Sequence, residues 1–267
     1  MVTNIEVNKG FKKKLNNPIL FVGLPGIGLV GKIAIDYLVK ELTPKPKIFA
    51  KIYSDTFPPA VHVKNSILEI ITDDIYLYSE KKRDYLFLVG PVQPTLANVL
   101  NSFQHYEFSE KISEFSKKYN VKEIYTFAGL NVGNKRINEV PKVYGVSSDE
   151  TTKKKLSKQK IKNLIIEKNT KDSLVSGVAG LLPGIAYYKY NIPGICVMGE
   201  TSGNLTFGDH GSAKKTLEII NKLFPELKFD LKKISADAKK IEESFNLISK
   251  KINDISKKSD SPSNYIR

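Results

Sequence analysis

Apolar residues along this chain follow two rhythms. Short continuous runs at 19–23, 85–89, 124–127 and 195–198 have the composition of strands buried on both faces, and each ends at or near a glycine. Helical spacing takes over between them. Residues 27–42 read as a helix stopped by Thr43-Pro44, residues 109–119 place Ile112, Phe115 and Tyr119 on one side, and 209–224 form a third such stretch. Shorter strands at 48–53, 61–63, 67–71 and 75–78 are punctuated by Pro58-Pro59, Asn65-Ser66 and Asp73-Asp74, the last expected to turn a hairpin. Buried strands alternating with helices predict an α/β fold, with a mostly parallel sheet covered on both faces and an antiparallel insertion near residues 61–79.

Past Pro225 the rhythm changes. Leu231, Ile234, Ala238, Ile241, Phe245, Ile248, Ile252 and Ile255 alternate spacings of three and four, with Lys, Glu, Asp and Ser on the flanks. This is a heptad stripe, with Leu231, Ala238, Phe245 and Ile252 at a and isoleucine at every d. A helix of this extent is ~40 Å long at 1.5 Å per residue. Such a stripe either packs on its own domain or joins copies of the chain. The unbroken alternation favours self-association, and isoleucine at d favours three or four strands over a parallel pair. The remaining "SDSPSNYIR" is polar and proline-punctuated, the composition of a flexible tether. The expected organisation is therefore an α/β platform over 1–228, an oligomerisation helix over 229–258 and a tail over 259–267.

Composition narrows the function classes. No apolar run reaches the ~18 residues of a membrane helix, and residues 1–14 lack an apolar signal segment. A single cysteine, Cys196, forms neither an intramolecular disulfide framework nor a Cys-based zinc site, and His62, His105 and His210 show no metal spacing. An intracellular, cytoplasmic, metal-free protein is expected. The net charge of +14 suggests a polyanionic partner, but the sign is carried by lysine, since Arg83, Arg136 and Arg267 are the only arginines. The densest basic run, Lys153 to Lys162, has no aromatic residue interleaved for base stacking. A lysine-coated surface without a specific nucleic-acid site fits better than a nucleic-acid binder.

The stretch "PILFVGLPGIGLVGKIAIDYL" reads in two ways. Gly26, Gly28 and Gly31 spell G-x-G-x-x-G after an apolar strand, and Asp55 lies 24 residues beyond Gly31, where a ribose-binding acid would stand. The alternative P-loop reading fails because position 33 is Ile, where Ser or Thr must reach magnesium. A packing role competes with the anion site: Gly28 and Gly31 would let the helix approach the sheet, Gly26 would supply any positive φ, and Pro25 would fit at the helix start. Glu200, just past a strand, could join Asp55 and Asp209 in a carboxylate cluster at that edge. Cys196, inside an apolar strand, reads as buried filler.

A set of segments, taken in order, resembles a known family. "GLPGIGLVGKIAIDYL" (23–38), "SDTFPPAVHV" (54–63), "GPVQPT" (90–95), "TFAGLNVG" (126–133) and "GVAGLLPGIAYYKYNIPGICVMGETSG" (177–203) look like the archaeal branch of the proteasome-assembly chaperones, over about residues 15–225. The resemblance implies a three-layer α/β/α sandwich similar to nucleoside phosphorylases and no catalysis or cofactor. It also implies a homo-oligomeric platform whose C-terminal tails dock between proteasome core α-subunits through a hydrophobic-Tyr-X end. Here the matching positions are Tyr265, Ile266 and Arg267, with the tyrosine one place early. The competing expectation is a nucleoside- or nucleotide-handling hydrolase or transferase built on Gly26, Gly28, Gly31, Asp55 and Glu200.

Overall fold

The run Ile19–Gly23 is buried at every position because its side chains enter two different cores. Ile19 and Phe21 point to one face of the sheet and Leu20 and Val22 to the other, which removes any polar alternation. The computed structural model describes residues 3–11, 14–94, 102–133, 136, 139–166, 174–203, 205 and 208–236. In chain order its strands are β1 (Thr3–Val7), β2 (Ile19–Gly23), β3 (Lys47–Ser54), β4 (Val61–Lys64), β5 (Ile67–Ile70), β6 (Asp73–Ser79), β7 (Asp84–Val89), β8 (Glu123–Asn131), β9 (Val143–Ser147), β10 (Leu164–Ile165) and β11 (Gly194–Thr201). The helices are α1 (Val30–Glu41), α2 (Ser102–Lys118), α3 (Glu150–Lys158), α4 (Val178–Tyr190) and α5 (His210–Leu223).

Nine strands form one sheet in the order β1-β3-β6-β7-β2-β8-β11-β9-β10, while β4 and β5 pair only with each other. The central β7, β2, β8 and β11 are parallel. Around that parallel centre β1, β3, β6, β7, β9 and β11 also make antiparallel pairings, so the sheet is mixed, and β6 lies in the antiparallel insertion expected near residues 61–79. Connection length accounts for one of these pairs. Only residues 80–83 separate β6 from β7, too few for the crossover that parallel neighbours require.

Helices cover both faces. Ala34, Ile35 and Leu38 of α1, Leu156 of α3, and Ala213, Leu217 and Ile220 of α5 close one core. Phe108, Ile112 and Phe115 of α2 close the other with Val178, Leu182 and Ala186 of α4. Phe21 centres the first core, its ring 4.9 Å from Phe224 and 5.4–5.7 Å from Phe127, Phe87, Tyr125 and Tyr85. Edge-to-face geometry dominates these pairs, as ring quadrupoles favour.

Two turns differ from expectation. The hairpin forms at Asn65-Ser66, whose φ values of 51° and 64° suit a type I′ turn. Asp73 and Asp74 instead begin β6, where Asp73 lies opposite Ile52 and Asp74 opposite Lys51 and Val89. Two acids in a row looked like a turn, but pairing on both sides made them strand.

After α5 the chain stays on the first core. Leu227 and Ile234 are buried there, with Phe229 and Leu231 half-buried beside them, and residues 232–236 are helical. Thus the first two positions of the heptad stripe pack on their own domain. Ala238, Ile241, Phe245, Ile248, Ile252 and Ile255 lie outside the described residues, as do Tyr265, Ile266 and Arg267.

Candidate functional site

The glycine corner stands where β2, β8 and β11 end. Gly26 is extended, with φ −156°, and a single 3-10 turn, Ile27–Leu29, leads into α1. The positive φ that the sequence assigned to Gly26 falls on Gly28, at 60°, and Leu29 follows at 51°. A Cβ on Gly28 would land on Thr201 Oγ1, and one on Gly31 would land on the Phe127 carbonyl of β8. The close approach therefore has a backbone wall at Gly31 that no side-chain rotation can relieve. Gly26 differs: nothing lies within 4 Å of its Cβ position. Gly28 and Gly31 serve packing, while Gly26 faces open space.

That space is a cleft of about 430 Å³ bounded by Leu24, Pro25, Gly26 and Ile27 on one side, and by Leu130, Asn131, Ser176 and Gly177 on the other. Its walls are mainly apolar and backbone. Asp55 and Glu200 are absent from the lining. Glu200 faces β9, where its carboxylate accepts from the Lys142 amide at 2.9 Å and the Tyr144 hydroxyl at 3.1 Å. Asp55 is an exposed residue just after β3. Between β3 and β11 lie β6, β7, β2 and β8, so the two acids stand about 24 Å apart at ~4.8 Å per strand. They cannot hold one ligand together with Gly26. The dinucleotide reading fails on the same topology, because the strand after α1 is three places from β2 rather than adjacent.

Asp209 has a different role from the one its sequence position suggested. Its carboxylate caps α5 by accepting from the Ser212 amide at 2.8 Å. It also accepts from the Thr201 hydroxyl at 3.0 Å and takes both arms of the Arg136 guanidinium, at 2.7 and 2.8 Å. Both members of this ion pair are buried, at 9% and 3% side-chain exposure. The Asp209 amide donates to the Gly28 carbonyl at 2.7 Å, so one residue ties the glycine corner to α5 and Arg136. Sequence reasoning missed Arg136 and Thr201. The available signal was Arg136 itself, one of three arginines in a chain that otherwise uses lysine.

Asp73 and Cys196 are among the buried groups with shifted acidities. Asp73 is fully buried against Gly90, and among the described residues neither oxygen has a well-formed hydrogen bond. Burial holds its carboxyl well above the ordinary carboxylate range, and the nearby Val92 amide and Lys32 ammonium offset only part of that. Cys196 is buried in β11, and burial pushes its thiol up to about 11.

At the opposite end of the sheet the C-terminal segment is fastened. The Tyr37 hydroxyl of α1 donates to the Asp230 carbonyl at 2.6 Å and accepts from the Ile234 amide at 3.4 Å. Tyr85, at the start of β7, donates to Glu226 at 2.5 Å. These bonds hold residues 226–234 against α1 and β7. No helix among the described residues is long and apolar enough to cross a membrane.

The fold is a mixed-sheet α/β sandwich in which Gly28 and Gly31 pack against Thr201 and β8, Gly26 lines an open cleft, Asp209 caps α5 and Glu200 bridges to the Lys142 amide and Tyr144. The chain belongs to the PAC2 family, whose model matches residues 20–248. It is 36% identical over 210 residues to an uncharacterised protein of Methanocaldococcus jannaschii, covering 78% of this chain and 74% of that one. Among solved structures it is similar to PbaB of Pyrococcus furiosus, an archaeal proteasome activator, with 28% identity, a TM-score of 0.82, and coverage of 92% of this chain and 98% of that one. It shares its fold with PbaA of the same organism, an archaeal homologue of proteasome-assembly chaperone, at 21% identity and a TM-score of 0.69 over 96% and 95% of the two chains.

Proposed function

We propose that this protein is a proteasome assembly chaperone or a core-particle-binding activator, working in the cytoplasm as a homo-oligomeric platform. The observation that carries this reading is the match to PbaB along nearly the whole of both chains, at 28% identity. The role requires binding and no catalytic step.

The Tyr37 anchor sets where the tails depart. Beyond it, Ala238 to Ile255 of the stripe join protomers, and residues 259–267 supply a tether that spans up to ~30 Å at 3.3 Å per extended residue. Its apolar-apolar-X end, Tyr265-Ile266-Arg267, docks on the core α-subunits. Several weak tails on one oligomer act at high effective concentration, so none needs to bind tightly alone.

Core particles incubated with the full chain and with a chain lacking residues 265–267 test this. The full chain should be retained and the truncated one lost, with no change in oligomer size. Retention of the truncated chain overturns tail docking, and failure of the full chain to bind overturns the proteasome role.

A further inference from the structure

Gly26 is a glycine that the fold does not require. Its φ of −156° is extended backbone that any residue adopts, and no atom lies within 4 Å of its Cβ position. Gly28 and Gly31, by contrast, each meet an obstacle that forbids a side chain. A glycine lowers stability through the freedom it gives the unfolded chain. One that neither a turn nor a close contact needs marks a wall kept bare, and that wall belongs to the cleft at the corner.

We infer that this cleft binds a small, uncharged, largely apolar molecule that carries a hydrogen-bond acceptor. Position supports a ligand there. The cleft opens beyond the carboxyl ends of β2 and β8, which are adjacent and parallel, the place where α/β sheets hold small molecules. Its volume of about 430 Å³ also falls within the range of about 300–1,000 Å³ usual for such sites.

The lining sets the chemical class. Leu24, Ile27 and Leu130 supply apolar wall, and Ile27 keeps 45% of its surface exposed for a ligand to cover. Among the described residues no charged side chain lines the cleft, so an ionised ligand would lose its water without gaining a counter-charge. Gln93, Asn131 and Ser176 are its polar side chains. The Asn131 carbonyl oxygen already accepts from the Gly133 and Gly203 amides, at 3.0 and 3.3 Å, which leaves its NH₂ to donate. With no Cβ on Gly26, the ligand's body reaches the backbone of the corner. The site uses none of the C-terminal residues and does not depend on the proteasome reading.

Prodan, an uncharged aminonaphthalene with a ketone acceptor, is the probe, titrated into the purified full chain without proteasomes. Its emission should shift to the blue and saturate near one dye per chain. Gly26→Phe, which sets a ring in the cleft, should weaken binding at least about tenfold with unchanged circular dichroism. Leu68→Asp should bind as wild type does, although Leu68 is 70% exposed on β5 and offers an apolar dye another place to sit. No saturable binding, unchanged affinity in Gly26→Phe, or a loss in Leu68→Asp overturns the inference. A second readout does not need the Gly26 variant to fold. Ser176→Cys adds an exposed thiol on the opposite wall of a chain whose own Cys196 is buried. Saturating Prodan should slow alkylation of that thiol by a maleimide at least about fivefold, and dansylate, a sulfonate anion on the same ring system, should not. Absence of protection by Prodan overturns the site, and equal protection by dansylate overturns the uncharged class.

Discussion

Replacing Asp209 by alanine removes one carboxylate from four contacts at once. The buried Arg136 guanidinium loses its bidentate partner, α5 loses its cap, and Thr201 loses an acceptor. Breaking a buried ion pair from one side costs about 3–5 kcal/mol, because the remaining charge is desolvated without compensation. A lost N-cap costs about 1 kcal/mol. The two share one side chain and do not add, so about 4 kcal/mol is expected. For a chain of this length that lowers Tm by roughly 8–16 °C. Asp209→Asn keeps the cap and loses the charge, and should cost about half as much. Urea unfolding followed by circular dichroism measures both. The decisive control is Arg136→Met in the Asp209→Ala background, which removes the stranded cation and should recover a large part of the loss. Strictly additive losses in that double variant, or an alanine variant within about 1 kcal/mol of wild type, would show that the pair does not carry the corner.

Three further outcomes follow from the same geometry. Gly31→Ala drives a Cβ into the Phe127 carbonyl and should cost about 1–3 kcal/mol, whereas Gly26→Ala, with open space at its Cβ position, should stay within about 0.5 kcal/mol of wild type. Equal losses in the two unfolding curves would sink the packing account. Burial lifts the Asp73 carboxyl well above the ordinary carboxylate range, so the folded chain keeps a proton that the unfolded chain releases, and stability falls as pH rises from the ordinary value to the raised one. Asp73→Asn should therefore gain Tm relative to wild type as pH rises above the ordinary carboxylate range, and parallel Tm profiles would contradict the burial argument. Cys196, with its thiol pushed to about 11, should resist an aromatic disulfide reagent near neutral pH until the chain is unfolded; rapid labelling of the native protein would place it at the surface.

The sequence by itself determined the central strands, because Ile19–Gly23 and residues 85–89 are apolar enough to be buried on both faces in any arrangement. It also determined α1 and α5 to within a few residues, and the family, since those follow from local pattern and ordered motifs. Strand direction was decided elsewhere: Asp73 and Asp74 look like a turn until β3 and β7 pair on either side of them. The glycine spacing matched a nucleotide loop, and only the placement of β8 and β11 showed that Gly28 and Gly31 face backbone and Thr201. Asp55 and Glu200 shared a plausible role until the strand order set four strands between them, and Arg136 found Asp209 across 73 residues of chain. Periodicity records which side of an element is buried, a local property. Which elements become neighbours depends on contacts distant in sequence, and these exist only once the chain has folded.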